Sequence, residues 1–392
     1  MNSPVIEILA PRYEIAWYPW AVQYFFLVAL AYCSVWLALP GLLFGRNGRW
    51  AATARYALLA AMTTAICAPI ALLADLHQPL RFWHFYAHFT STSWMSIGSL
   101  LLPPFVFAVI GLAWLVWREP MLAWRERQDW TGRIARIATL GGWQTPHFAV
   151  RILAVVAAIL SLSIMVYTGS EIAVVEGRPL WNTIWLPPLL LTTGMMGAAG
   201  LVLLLNRVAG PWDAGTDRKM LGVITLFGLL TAGVVLMWGM EGLFVEGSSI
   251  AAAIDSVRHE PHWRNTAIWG MLAGAVLTLA AGLMLWRAGW SNKPKILGPW
   301  ILGLVALHMA WMARWVVLMH VQTVQKQTAG YSEYIVGWQS SGWGGVIGIF
   351  GLWLAVILII DIFVPWRAAL GGSTGEPRPA PLSPNQGVAT HG

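Results

Sequence analysis

Residues Asp75-Leu-His-Gln-Pro-Leu-Arg-Phe-Trp-His-Phe-Tyr-Ala-His88 set Asp75, His77, Arg81, His84 and His88 among Phe82, Trp83, Phe85 and Tyr86. The apolar runs on either side, Tyr56–Ala74 and Trp94–Trp117, are each long enough to cross a bilayer, because about 20 helical residues cover a hydrocarbon core about 30 Å thick. The two runs therefore fix the stretch between them at a membrane surface. A segment that only had to turn the chain would be short and rich in Gly, Asn or Ser. This one carries groups able to hold a polar, aromatic, proton-carrying ligand.

The rest of the chain gives the same reading. Of 392 residues, 58% are apolar and only 10% charged, and 26 are Trp. A soluble domain cannot hide that much apolar surface. A polytopic helical bundle can, because lipid solvates its outside and each helix satisfies its own backbone hydrogen bonds. Runs of about 20 apolar residues predict nine spans: Trp17–Phe44, Ala52–Ala74, Trp94–Trp117, Phe148–Thr168, Trp181–Leu205, Met220–Phe244, Ala267–Trp286, Gly298–Met319 and Gly342–Val364. The first run is too long for a cleavable signal and follows the charged segment Glu7–Glu14, so it is read as a retained helix.

The distribution of Lys and Arg predicts the orientation. Arg46, Arg49 and Arg55 follow the first span, and Arg118, Arg125, Arg127, Arg133 and Arg136 follow the third. Arg207, Arg218 and Lys219 follow the fifth, Arg287, Lys293 and Lys295 the seventh, and Arg367 and Arg378 close the chain. The opposite side is sparsely basic. The formal charge of +7 is thus accounted for by topology and calls for no nucleic acid. The fold expected is an all-α transmembrane bundle with the N-terminus and Asp75–His88 outside and the C-terminus cytoplasmic. Its expected parts are an outer N-terminal segment (1–16), a ligand-binding bundle (17–205), a second bundle (206–370) and a tail (371–392) whose Pro, Gly and Ser content predicts disorder. The pairs Pro103–Pro104 and Pro187–Pro188 are expected to bend the third and fifth spans and free carbonyls there.

Cofactor classes separate on ligand spacing. Cys33 and Cys67 stand alone in different spans, so this chain is expected to hold no iron–sulfur cluster and no metal site. Haem would need His on facing helices. His308 and His320 share one span, about 18 Å apart along its axis, and no other span supplies a matching pair.

The predicted topology does bring a set of polar groups to the outer third of the bilayer. Gln23 and Tyr24 open the first span, Asp75 closes the second, Tyr167 closes the fourth, and Glu241 and Arg314 lie near the ends of the sixth and eighth. Ionisable groups within a membrane are costly enough to count as functional candidates, although Glu241 and Arg314 could simply neutralise each other. A phenol, an amide and a carboxylate at that depth suit a quinone. Its two oxygens need hydrogen-bond partners, and oxidation of its quinol releases two protons. A haem-containing quinol cytochrome and a transporter with a midplane Glu241–Arg314 site are the other classes compatible with the pattern.

These residues also resemble a known family. Tyr167-Thr-Gly, followed eleven residues after the tyrosine by Arg178-Pro-Leu-Trp-Asn182, is similar to the end of the fourth span and following loop of the NrfD family, the quinone-interacting membrane subunits of polysulfide reductase and related molybdenum enzymes. Asp75 to Arg81, with Ser91-Thr-Ser-Trp-Met-Ser-Ile-Gly98, resembles the family's second connection. Trp20-Ala-Val-Gln-Tyr-Phe-Phe26, Ala74-Asp-Leu-His-Gln78 and Trp83-His-Phe-Tyr86 look most like the tetrathionate reductase branch. Where polysulfide reductase members carry Asn and His in the first span, this chain has Ala21 and Tyr24, with Gln23 adjacent.

The resemblance implies a bacterial inner-membrane subunit that oxidises menaquinol or ubiquinol and has no redox metal of its own. It implies an iron–sulfur subunit docked on the outer face and a molybdopterin subunit beyond it. In that frame Asp75, His77 and His84 are expected as proton acceptors, and Tyr167, Gln23 and Tyr24 as oxygen ligands. Arg81 and Arg178 are expected to orient these groups or meet the partner, and Glu241, His308, Arg314 and Asp361 to form a possible proton path across the membrane.

Overall fold

A computed structural model describes residues 16–44, 48–287, 296–324 and 335–371. Within them nine helices are long and apolar enough to span a membrane, and there is no β-strand. They are α1 (Pro19–Leu43), α2 (Ala51–Asp75), α3 (Trp94–Trp124), α4 (His147–Ala173), α5 (Leu186–Val208), α6 (Ala214–Phe244), α7 (Pro261–Trp286), α8 (Leu297–Thr323) and α9 (Trp343–Phe363). The expected N-terminal segment, except Ala16, and the expected tail, except Gly371, lie outside the described residues.

Helix ends follow local chemistry. Ser93 caps α3 by accepting the Ser96 N–H, and Asp213 caps α6 by accepting the Thr216 N–H. The start of α1 has no cap of its own, and Asp75 at the end of α2 fills the role by accepting the Tyr18 N–H at 3.0 Å. The expected bend at Pro187–Pro188 is not there. α5 starts at Leu186, so both prolines occupy its first turn, where an N–H has no helical partner to lose. Near its end α8 widens into a π-helical turn, Val316–His320.

α1 and α5 form the centre: 78% of each one's apolar window is buried, against 17% for α7. α1 packs along α2, α5 lies against α8 and α6, and α3 against α4. Small residues set the closest approach. A Cβ on Gly197 would come within 2.4 Å of the Ala310 Cβ, and one on Gly200 within 2.7 Å of the Gly303 carbonyl, so α5 and α8 touch backbone to backbone, as packing without a hydrophobic driving force requires.

The arginine-rich end is bonded internally. Arg118, fully buried in α3, donates to the carbonyls of Thr139, Gly141 and Trp143 and lies 3.4 Å over the Trp143 ring. Satisfying that charge lets α3 continue to Trp124, beyond the end expected at Trp117. Arg207 and Asp217 form a buried ion pair at 2.5 Å, and Asn206 and Trp212 also donate to the carboxylate.

Candidate functional site

The opposite end of the bundle carries the site. On α4, Tyr167 and Glu171 are four residues apart and so share one face, turned toward α1 and α3. Tyr167 reaches inward because α3 offers it Gly98: a Cβ there would lie 2.0 Å from the tyrosine Cζ and 2.3 Å from its hydroxyl. Tyr24 comes from the first turns of α1, and its phenol, the Tyr167 phenol and the Glu171 carboxyl form one contiguous cluster. The Tyr24 hydroxyl and Glu171 Oε2 are buried and make no well-formed hydrogen bond within the protein, although both residues lie near enough to the Tyr167 phenol to interact with it. Most buried polar atoms are paired, so two such orphans in one cluster mark a place where a further group can bind.

A cavity of about 190 Å³ opens beside them. Its polar lining is Tyr24, Asp75, His77 and Glu171, and its apolar lining includes Trp17, Ala21, Phe25, Leu72 and Met95. Asp75 is held in place by its bond to Tyr18, whose ring rests 5.1 Å from that of His77. Two carboxyls, an imidazole and a phenol thus face one space at the bundle's edge.

The aromatic wall is clamped from behind. Trp17 stacks on Phe25 at 5.8 Å and on Trp181 at 5.2 Å. Buried Gln322 accepts the N–H groups of Ala16 and Trp17 and donates to the Trp17 carbonyl. The Trp181 indole donates to the Val317 carbonyl in the π-helical turn, at 2.6 Å. Arg178, also buried, donates to the carbonyls of Val321 and Val324 at 2.8 and 3.0 Å and lies over the Trp181 ring. The loop after α4 is thereby fastened to the end of α8.

Of the residues expected at the site, Tyr24, Asp75 and His77 line the cavity, and Tyr167 joins them through Tyr24 and Glu171. Gln23 points to α9, where it donates to the Val346 carbonyl, and its own carbonyl oxygen is buried without a partner. His84 lies on the surface loop, with its ring against Trp83 and His88. Arg81, exposed, bonds Gln78, and neither it nor Arg178 lines the cavity.

The residues expected to form a path across lie apart. Arg314 does not pair with Glu241: its guanidinium donates to the carbonyls of Phe25, Leu190 and Ala310 and to the Thr193 hydroxyl, while Glu241 accepts the Trp185 indole N–H. His308 is exposed on α8, stacked on Trp311, and Asp361 bonds Trp366 and Arg367 at the far end. No cluster of three metal-ligating side chains occurs among the described residues.

Glu171 is the member of the site that sequence reasoning missed. The available signal was its position four residues after Tyr167, on the same helical face in the last turns of an apolar span.

Comparison with known proteins gives the family of the chain. The profile of the polysulphide reductase NrfD family matches residues 8–326. A tetrathionate reductase subunit of Salmonella typhimurium (strain LT2) is 32% identical over 373 residues, covering 94% of this chain and 96% of that protein. Protein NrfD of Escherichia coli (strain K12) is 28% identical over 136 residues, 34% of this chain and 41% of its own length. A match over most of the chain, together with nine membrane-spanning helices, establishes that this protein is a multi-pass member of the NrfD family, similar to the tetrathionate reductase subunit of Salmonella.

Proposed function

We propose that this chain is the quinol-oxidising membrane subunit of a bacterial inner-membrane tetrathionate reductase, and that quinol binds in the cavity bounded by Tyr24, Asp75, His77 and Glu171. The observation that carries this reading is the pair of orphaned polar atoms, the Tyr24 hydroxyl and Glu171 Oε2, beside a cavity walled by Trp17 and Phe25. A quinol headgroup is a flat aromatic ring with an oxygen at each end. It needs an aromatic surface to stack on and one hydrogen-bonding group per oxygen. At about 190 Å³, the cavity is smaller than the roughly 300–1,000 Å³ of pockets that enclose a whole drug-sized ligand. It suits a single ring whose isoprenoid tail remains in lipid.

In this reading Tyr24 and Tyr167 hold the quinol oxygens, and Asp75 and His77 take the released protons toward water at the mouth. Quinol loses two protons and two electrons to become quinone. The electrons leave to an iron–sulfur subunit seated on this same end of the bundle, and from there to a molybdopterin subunit that reduces tetrathionate. The exposed Leu80, Phe82, Trp83, Tyr86, Phe89 and Ile184 at this end supply an apolar, aromatic surface for that contact.

The test is to fill the cavity. Ala21 lines it from α1, and Ala21→Trp puts an indole where the ring would bind. In membranes holding the assembled complex, tetrathionate reduction driven by menadiol should collapse. Reduction driven by methyl viologen radical, which delivers electrons to the partner subunits directly, should persist. An unchanged menadiol-driven rate rules the cavity out as the quinol site.

A further inference from the structure

We infer that Glu171 is the first proton acceptor for the bound quinol, with Asp75 as the second station between it and water; this rests on the quinol reading above. Glu171 is 7% exposed, and its Oε2 is wholly buried, without a partner, at the wall of the cavity. A carboxyl retained at such a place for packing alone would be expected to satisfy both oxygens, because an unpaired buried acceptor is costly. A carboxyl at the wall of a ligand-sized cavity, with one oxygen unpaired just behind that wall, fits a base that awaits an O–H donor. Asp75 opens onto the same cavity, close enough for the two carboxyls to influence each other. It is half-buried and nearer the surface, and His77 beside it is exposed. The three groups therefore form a series from buried to solvated, the order a proton needs to leave.

The titratable groups around Glu171 are Tyr24 from α1, Tyr167 from its own helix, and Asp75 with His77 at the end of α2. α3 and α5 bring Met95, Gly98 and Pro187 to this region, none of which titrates. As one electron passes to the external iron–sulfur acceptor, the quinol O–H bond breaks and its proton forms a new O–H bond on Glu171 Oε2. Glu171 passes that proton on to the Asp75 carboxylate, which gives it to water past His77. The second O–H follows the same route with the second electron, leaving quinone and two protons at this end of the bundle.

The experiment compares Glu171→Gln, Glu171→Asp and wild type in membranes holding the whole complex, with menadiol as donor and 2-heptyl-4-hydroxyquinoline N-oxide as the probe of occupancy. Glutamine keeps the size and the hydrogen-bonding carbonyl but cannot take a proton. The expected result for Glu171→Gln is probe affinity within about threefold of wild type and turnover at saturating menadiol lower by about 10²-fold or more, the scale of a positioned acid–base group. Its turnover should also lose the rise with pH that deprotonation of the carboxyl gives to wild type. Glu171→Asp, which keeps the base on a shorter arm, should recover part of the rate and the pH dependence.

Wild-type turnover and pH profile in Glu171→Gln overturn the assignment. So does an equal loss of turnover and probe affinity in both variants, which marks a structural role. The quinol reading fails separately. If Ala21→Trp leaves probe affinity and menadiol turnover unchanged, the cavity is not the quinol site, whatever Glu171 does.

Discussion

The Tyr167 ring lies so close over Gly98 that a single added methyl would overlap it, 2.0 Å from Cζ. No other residue can occupy position 98 with the tyrosine where it is. Gly98→Ala should therefore displace the Tyr167 ring while leaving α3 intact, since alanine is the better helix former by about 1 kcal/mol. The expected outcome is a complex that assembles normally and has lost most of its menadiol-driven rate. Full quinol-driven activity in Gly98→Ala, measured beside an unchanged methyl viologen rate, is incompatible with a fixed Tyr167 at the site.

Arg314 is buried in the bundle with carbonyl and hydroxyl partners only, and Glu241 is bonded to Trp185, just before α5. Residues that share no partner contribute independently, to within about 0.3–0.5 kcal/mol. Glu241→Gln should thus be mild, Arg314→Met severe, and the double variant no better than Arg314→Met alone. Membrane accumulation of the three variants checks this. A double variant that accumulates better than Arg314→Met would mean that the two charges meet after all.

Much of this architecture is legible in the chain itself, because length and apolarity are all that a bilayer demands of a span. Each of the nine runs falls on one of the nine helices, and the ends differ most at the end of α3, which Arg118 carries past Trp117, at the start of α6, which Asp213 caps, and at the start of α7. The end of the bundle at which a residue lies is equally readable, which is why Tyr24, Asp75 and Tyr167 stand out together. Azimuth is not. Gln23 and Tyr24 are neighbours in sequence, yet about 100° apart around a helix, and only Tyr24 turns to the cavity while Gln23 meets α9. The same limit hides Glu171, and it leaves Arg178 looking like a surface charge when it is buried as a clamp.

That clamp has its own consequence. Arg178 holds the carbonyls of Val321 and Val324 and covers Trp181, which in turn stacks on Trp17 at the cavity wall. Lysine keeps the charge but has no planar fork and stacks less well. Arg178→Lys should lose on the order of 1.5–3 kcal/mol, the worth of a hydrogen bond to a charged group, and show as a lower melting temperature of the purified complex. Because the damage reaches Trp17 only indirectly, menadiol KM should rise while saturated turnover holds. A fall in saturated turnover at unchanged KM would instead place Arg178 in the chemistry.

Tyr167→Phe isolates the hydroxyl. The ring, its packing on Gly98 and its place beside Glu171 all remain, so assembly should be unaffected. If the phenol only bonds a quinol oxygen, the cost is that of one neutral hydrogen bond, about 0.5–1.5 kcal/mol, or roughly two- to tenfold in affinity. If it also orients the quinol O–H toward Glu171, turnover at saturating menadiol should fall further, by about 10²-fold. The contiguity of Tyr24, Tyr167 and Glu171 favours the second outcome. Tyr24→Phe supplies the comparison, since its hydroxyl is the one left without a partner inside the protein. It should lower affinity more than Tyr167→Phe does, and turnover less. Equal effects on both parameters in the two variants would mean that the phenols act as one unit, and no effect in either would remove them from the site.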